Sequence, residues 1–158
     1  MTFRVAFAAL IACGVVAGPT VGQPLNSARA HVNWMLKCQG CHRSDAGGSP
    51  TTTPEMAGHI ARFLAVPGGR DYLVRVPGVA TSVLADAELA ELMNWTLLRF
   101  DAAHVPANFR RYTGPEVGRL RQTPLRTEAY AVRARLVADL DKMREPASRA
   151  PPESTGRK

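Results

Sequence analysis

The chain has 158 residues, the length of a single domain. Lys and Arg total 20 against 13 Asp and Glu, a net charge of +7, and 46% of residues are apolar. That apolar content excludes a disordered chain, while 12 prolines and 13 glycines fit a small helical domain with long irregular connections.

The first segment stands apart. Arg4 supplies a short positive start, and Val5 to Ala17 is an almost unbroken apolar run, too short to span a bilayer as a helix. Small residues and Pro19 follow. Residues 1–22 are therefore expected to be a secretory signal, with the remaining chain periplasmic. Cys13 lies within Leu-Ile-Ala-Cys-Gly, which resembles a bacterial lipobox. It is either a small apolar residue of a discarded peptide or a lipidated anchor, and either reading takes the protein out of the cytoplasm.

Ser27 to Lys37 reads as a helix with Ser27 as N-cap and Ala30 and Trp34 on one face. It runs directly into Cys38-Gln-Gly-Cys-His42. Residues 44–58, rich in Gly, Pro and Thr, read as loop. His59 to Val66 predicts a short helix, broken by Pro67-Gly68-Gly69, and Asp71 to Val76 another, ended by Pro77-Gly78. Asp86 to Phe100 is the clearest helix, with Leu89, Leu92, Met93, Thr96, Leu97 and Phe100 at helical spacing and Trp95 at the edge of that stripe.

Residues 101–126 hold prolines 106, 115 and 124 and many arginines, and predict an irregular strap. Glu128 to Arg144 has helical period, with Ala129, Val132, Leu136, Leu140 and Met143 on one side. The predicted divisions are a signal over 1–22, a domain over 23–100, a basic extension over 101–144 and a disordered tail over 145–158.

The chemistry lies in Cys38-Gln-Gly-Cys41-His42. Zinc needs about four ligands, usually from two such pairs, and no second pair exists. A thioredoxin-like dithiol needs a βαβ setting, and these surroundings read as helical. The third reading is covalent haem attachment. Two thiols three positions apart meet the two vinyl groups of one haem as thioethers, and the following His42 supplies an imidazole nitrogen to the iron. An exported chain suits this reading best.

From about Ser27 to Phe100 the chain resembles a class I c-type cytochrome. Trp34, four residues before Cys38, and Trp95 match the family's first and last helices. Leu84-Ala-Asp-Ala-Glu-Leu-Ala resembles the opening of its last helix, and Pro54-Glu-Met-Ala-Gly58 its Pro-x-Leu-x-Gly segment. The resemblance implies an all-α fold around one haem c, with a strap and helix added at the C-terminus. It implies Cys38 and Cys41 as thioether positions, His42 as proximal ligand, Trp34 beside the haem, and Pro54 as the carbonyl that orients His42.

The sequence departs from the family in one place. Class I members take the sixth iron ligand from a Met in the loop before the last helix, and here that loop, Val76 to Leu84, has no Met, His or Lys. Met56, in a proline-bounded loop, is the expected ligand, although it sits at the family's Leu position. Met93 and His59 are alternatives, as is an open site. His31 reads as a surface or cap residue. His104 lies in the strap and could touch the haem edge.

The expected function is electron transfer, not enzymatic turnover: one electron from a periplasmic dehydrogenase to a respiratory acceptor. The basic second half, including Arg110, Arg111, Arg119 and Arg121, suits an acidic redox partner. Export argues against nucleic acid. The competing readings are an open-site haem protein that binds peroxide or a diatomic gas, and a cytochrome subunit of a larger redox complex.

Overall fold

The computed structural model describes residues 24–49 and 51–148, with side chains as far as Arg144. Residues 1–23, which hold the expected signal and Cys13, and residues 149–158 lie outside the described part. The described residues are helical, with one isolated bridge between Ser49 and Thr53 and no strand. The all-α expectation holds.

Helix α1 spans Ser27–Lys37. Its cap is Asn26, not Ser27: Asn26 Oδ1 accepts from Arg29 N at 3.0 Å. Asn26 can do this because its own N–H is already held by Glu91 Oε1 at 2.8 Å, and Glu91 also binds Arg29 Nε at 2.7 Å. One carboxylate thus fixes the start of α1 to the last long helix of the domain. A one-turn helix, α2 (Gln39–His42), follows at once.

A 3-10 helix at Ile60–Ala65, α3 (Gly69–Arg75) and α4 (Pro77–Ala80) then lead to α5 (Asp86–Asp101). Gly69 begins α3 because only Gly fits there; a Cβ would lie 1.9 Å from Phe63 O. Pro77 opens α4 instead of ending α3. A proline has no N–H to lose in a first turn, and its fixed φ suits the helix start.

Helix α5 is central. Every residue from Leu92 to Leu97 is buried, not just one stripe. The α1 side packs aromatic rings, with Trp34 6.2 Å from Trp95 and 4.7 Å from Phe100. The extension covers the other side. Asn94, buried there, pairs both ways with the Tyr112 backbone: Nδ2 donates to O at 2.9 Å, and Oδ1 accepts from N at 2.8 Å.

The predicted irregular strap is in part wrong. It contains a 3-10 turn at Ala102–His104 and helix α6, Gly114–Leu120. Thr113 is the N-cap of α6, and Pro115 again sits in a first turn. Gly114 and Gly118, one turn apart, let α6 lie on α5; a Cβ at Gly118 would be 2.4 Å from Asp86 Oδ2.

Helix α7 covers Ala129–Ser148, against the predicted 128–144. It enters the stretch expected to be tail, continuing past Pro146. It folds back on the domain through buried Leu136, with Arg133 over the Phe63 ring at 5.9 Å. No helix among the described residues is long and apolar enough to cross a membrane.

Candidate haem site

Cys38 ends α1 and begins α2. Its N–H donates to Trp34 O at 2.9 Å, and its carbonyl accepts from Cys41 N at 3.2 Å and His42 N at 3.0 Å. Those two bonds close one turn, which places both thiols and the imidazole together. Both cysteines are free thiols, Cys38 half-buried and Cys41 exposed. Burial raises the Cys38 thiol above its usual pKa, and the Cys41 charge adds to this. Burial thus disfavours the Cys38 thiolate. No group of three or more His, Cys, Asp or Glu among the described residues could hold a metal ion, so the zinc reading has no further ligands.

The chain leaves this turn through a tight loop. Arg43 (φ 64) and Ala46 (φ 60) take left-handed conformations that cost a residue with a Cβ. The loop offsets this with backbone bonds. Gly48 N donates to His42 O at 3.2 Å, while Met56 N and Ala57 N donate to Ala46 O at 2.9 and 3.2 Å. Gly48 is required, since a Cβ there would lie 2.3 Å from Thr53 O.

His42 is half-buried, its ring 6.0 Å from the Trp34 ring. Burial lowers its pKa and favours the neutral imidazole, the form that binds metals. Its Nδ1 is buried with no hydrogen-bond partner among the described residues. The expected bond from His42 to the Pro54 carbonyl is thus not made. The Ser49–Thr53 bridge brings the backbone of this segment against Gly48, with Pro54 O 2.8 Å from where a Gly48 Cβ would be. Trp34 is 2% exposed, and its Nε1 also lacks a partner among the described residues.

The sixth-ligand candidates are scattered. Met93 is buried on α5 within the core, as apolar packing requires. His59 is exposed, its Nε2 3.6 Å from Glu55 Oε2. It lines a cavity of about 410 Å³ beside α7, together with His104. His104 is held by buried Asp101, 2.5 Å from its Nδ1. Met56 is half-buried, two residues past Pro54, with its backbone tied to Ala46. His31 is more than a cap; its ring stacks on Trp95 at 5.5 Å.

Asp101 and Arg121 were not singled out for such roles in the sequence. Asp101 accepts from Ala61 N at 2.7 Å, forty residues away, and Arg121 binds residues 80–86. Only their pairing across the chain marks them, and sequence spacing carries no trace of it.

These residues fit a covalent haem. Two thiols share one turn, burial of the adjoining imidazole favours its neutral form, and no hydrogen bond among the described residues claims its ring. Haem c, when bound at such a site, supplies a one-electron ferric/ferrous couple.

No protein-family model matches the chain. It is 33% identical over 107 residues to a cytochrome c-552 of Thermus thermophilus, covering 56% of this chain and 82% of that protein. It is also 33% identical over 107 residues to a cytochrome c-552 from a named strain of the same species, covering 72% of it. With a helical fold, a single Cys-x-x-Cys-His turn and relatives matched over most of their length, the chain belongs to the class I c-type cytochromes, which carry one covalently bound haem c.

Proposed function

We propose that this chain is an exported mono-haem electron carrier that takes one electron at a time from a periplasmic dehydrogenase and passes it to a respiratory acceptor. Cys38 and Cys41 form the thioethers, and His42 is the proximal ligand. The observation that carries this reading is the single turn at the end of α1 that holds both cysteines and an imidazole whose Nδ1 is buried without a hydrogen-bond partner among the described residues. Its relatives' names describe cytochromes, which supports electron transfer over catalysis. The exposed Arg110, Arg111 and Arg119 of the extension favour an acidic partner surface, because complementary charge speeds encounter, whereas Arg121 is turned inward.

The sixth ligand on this reading is Met56, from the loop that packs against the haem-attachment turn. A thioether ligand favours ferrous iron and raises the potential. A second reading has an open sixth position that binds peroxide or a diatomic gas. It is favoured by the way each candidate is already held: Met93 in the core, His59 beside Glu55, and Met56 by its backbone. The ferric absorption spectrum separates the two. Methionine ligation predicts the weak far-red band of an iron–thioether bond, present in the parent and in Met93→Ala and lost in Met56→Ala. A high-spin ferric spectrum with fast carbon monoxide binding to the ferrous form would overturn Met56 ligation.

A further inference from the structure

The segment between α4 and α5 is held from outside. Residues 76–84 contain no Met, His or Lys. The segment's own bonds gather in its first half: Val79 N and Ala80 N to Val76 O at 3.0 and 2.9 Å, Thr81 N and Oγ1 to Pro77 O at 3.0 and 2.6 Å, and Ser82 N to Val79 O at 3.1 Å, with only Leu84 N to Ser82 Oγ at 3.3 Å beyond them. The later carbonyls are held from the extension. Those of Ala80, Ser82 and Leu84 all accept from one side chain, Arg121. Nε donates to Ala80 O at 3.1 Å, Nη1 to Leu84 O at 2.9 Å, and Nη2 to Ser82 O. Nη1 also meets Asp86 Oδ1, in the first turn of α5, at 3.1 Å.

A guanidinium offers five N–H groups in a rigid plane, and here it spans three alternate carbonyls and a carboxylate. The Arg121 side chain is only 14% exposed, so these bonds are shielded from water. The surrounding chain sets its position. Arg121 N donates to Val117 O at 3.0 Å at the end of α6, and α6 is pressed on α5 at Gly118. Beyond it, Arg75 and the extension exchange bonds: Arg75 Nε to Thr123 O at 2.7 Å, and Leu125 N to Arg75 O at 2.8 Å.

We infer that Arg121 anchors the 80–84 segment and is thereby a positioning residue for the sixth coordination position of the iron. This rests on the haem reading above. In a class I cytochrome this segment carries the distal methionine, and the methionine–iron bond ties it down. Here the segment has no ligand to give, and Arg121 of the extension supplies the tie. The segment then stays in place whatever the oxidation state of the iron and whatever occupies its sixth position. It limits how readily an outside ligand reaches the metal.

The test uses the full-length holoprotein with Arg121→Ala and Arg121→Lys. It reads amide hydrogen exchange by segment, the rate of imidazole binding to ferric iron, and the midpoint potential. Arg121→Ala is expected to raise exchange at 80–84 at least tenfold, to leave α1 unchanged, and to speed imidazole binding severalfold with a shifted potential. Arg121→Lys keeps the charge but cannot span three carbonyls, so it is expected to behave like the alanine variant. It also carries the test if Arg121→Ala does not fold. Unchanged exchange at 80–84 would overturn the inference. So would faster exchange with imidazole binding and potential both unchanged, since the arginine would then only stabilise the fold. A parent protein without covalent haem overturns the haem reading and this inference together. A loaded parent whose variants behave like it overturns this inference alone.

Discussion

At the residue scale, Trp34 joins the fold to the site. It lies four residues before Cys38, and its carbonyl accepts the Cys38 N–H at 2.9 Å. Its ring packs on Phe100, Trp95 and His42. Trp34→Ala therefore removes the central aromatic contact between α1 and α5 and the support of the His42 ring at once. It is expected to cost about 3–5 kcal/mol in urea unfolding, the range for large aromatic-to-alanine changes in a core. Trp34→Phe, which keeps the Phe100 and Trp95 packing, is expected to cost less than half of that. Equal losses would mean that the smaller ring does not keep the packing on Phe100 and Trp95. The placement of Trp34, Cys38, Cys41 and His42 on one helix and the turn after it was legible in the sequence because the relation is local. The relation between Pro54 and His42 was not, because it depends on where the loop that joins them closes, and Gly48 decides that.

At the element scale, the extension is tied to the domain by charge as well as by packing. Arg70 on α3 grips Glu116 on α6 with two bonds, of 2.6 and 2.8 Å, while stacking over the Tyr112 ring at 3.9 Å. Burial alone would push the Glu116 carboxyl up, but the hydrogen bond and charge of Arg70 outweigh it and hold the carboxyl below its usual 4.5. An acid depressed in the folded state contributes stability that is present above its unfolded pKa and is lost as pH falls through the folded value. Glu116→Gln is thus expected to cost about 1 kcal/mol at neutral pH, since the pair is partly exposed. The gap to the parent should close as pH drops below about 4.5. Urea midpoints of both proteins across that range check it; a gap that stays constant would mean that the carboxylate charge plays no part. Helices α1 and α5 were legible from apolar spacing, within a residue or so at each end. Helices α4 and α6 were not, because Pro77 and Pro115 read as breaks when taken without the first turns they open.

At the scale of the whole molecule, the extension is what separates this chain from a minimal cytochrome. Sequence showed its charge but not its place, since every contact that docks it spans long stretches of chain: Asn94 to Tyr112, Arg70 to Glu116, Arg121 to the 80–84 segment. It covers α5 opposite α1 and clamps the segment from which class I members usually draw a ligand. The apolar stripe expected of α5 is buried, and burial spreads beyond it to Asn94 and Trp95 because the extension covers a second side of the helix. On the proposed reading all of these elements serve one haem, bonded to Cys38 and Cys41 and ligated by His42. The direct measurement is the mass of the purified full chain after acid and organic-solvent extraction, from a host that exports and attaches haem. The haem is expected to stay with the chain, and to be lost when Cys38→Ser and Cys41→Ser are combined. A parent chain that gives up its haem to the solvent, or that carries two free thiols and no haem, would contradict covalent attachment.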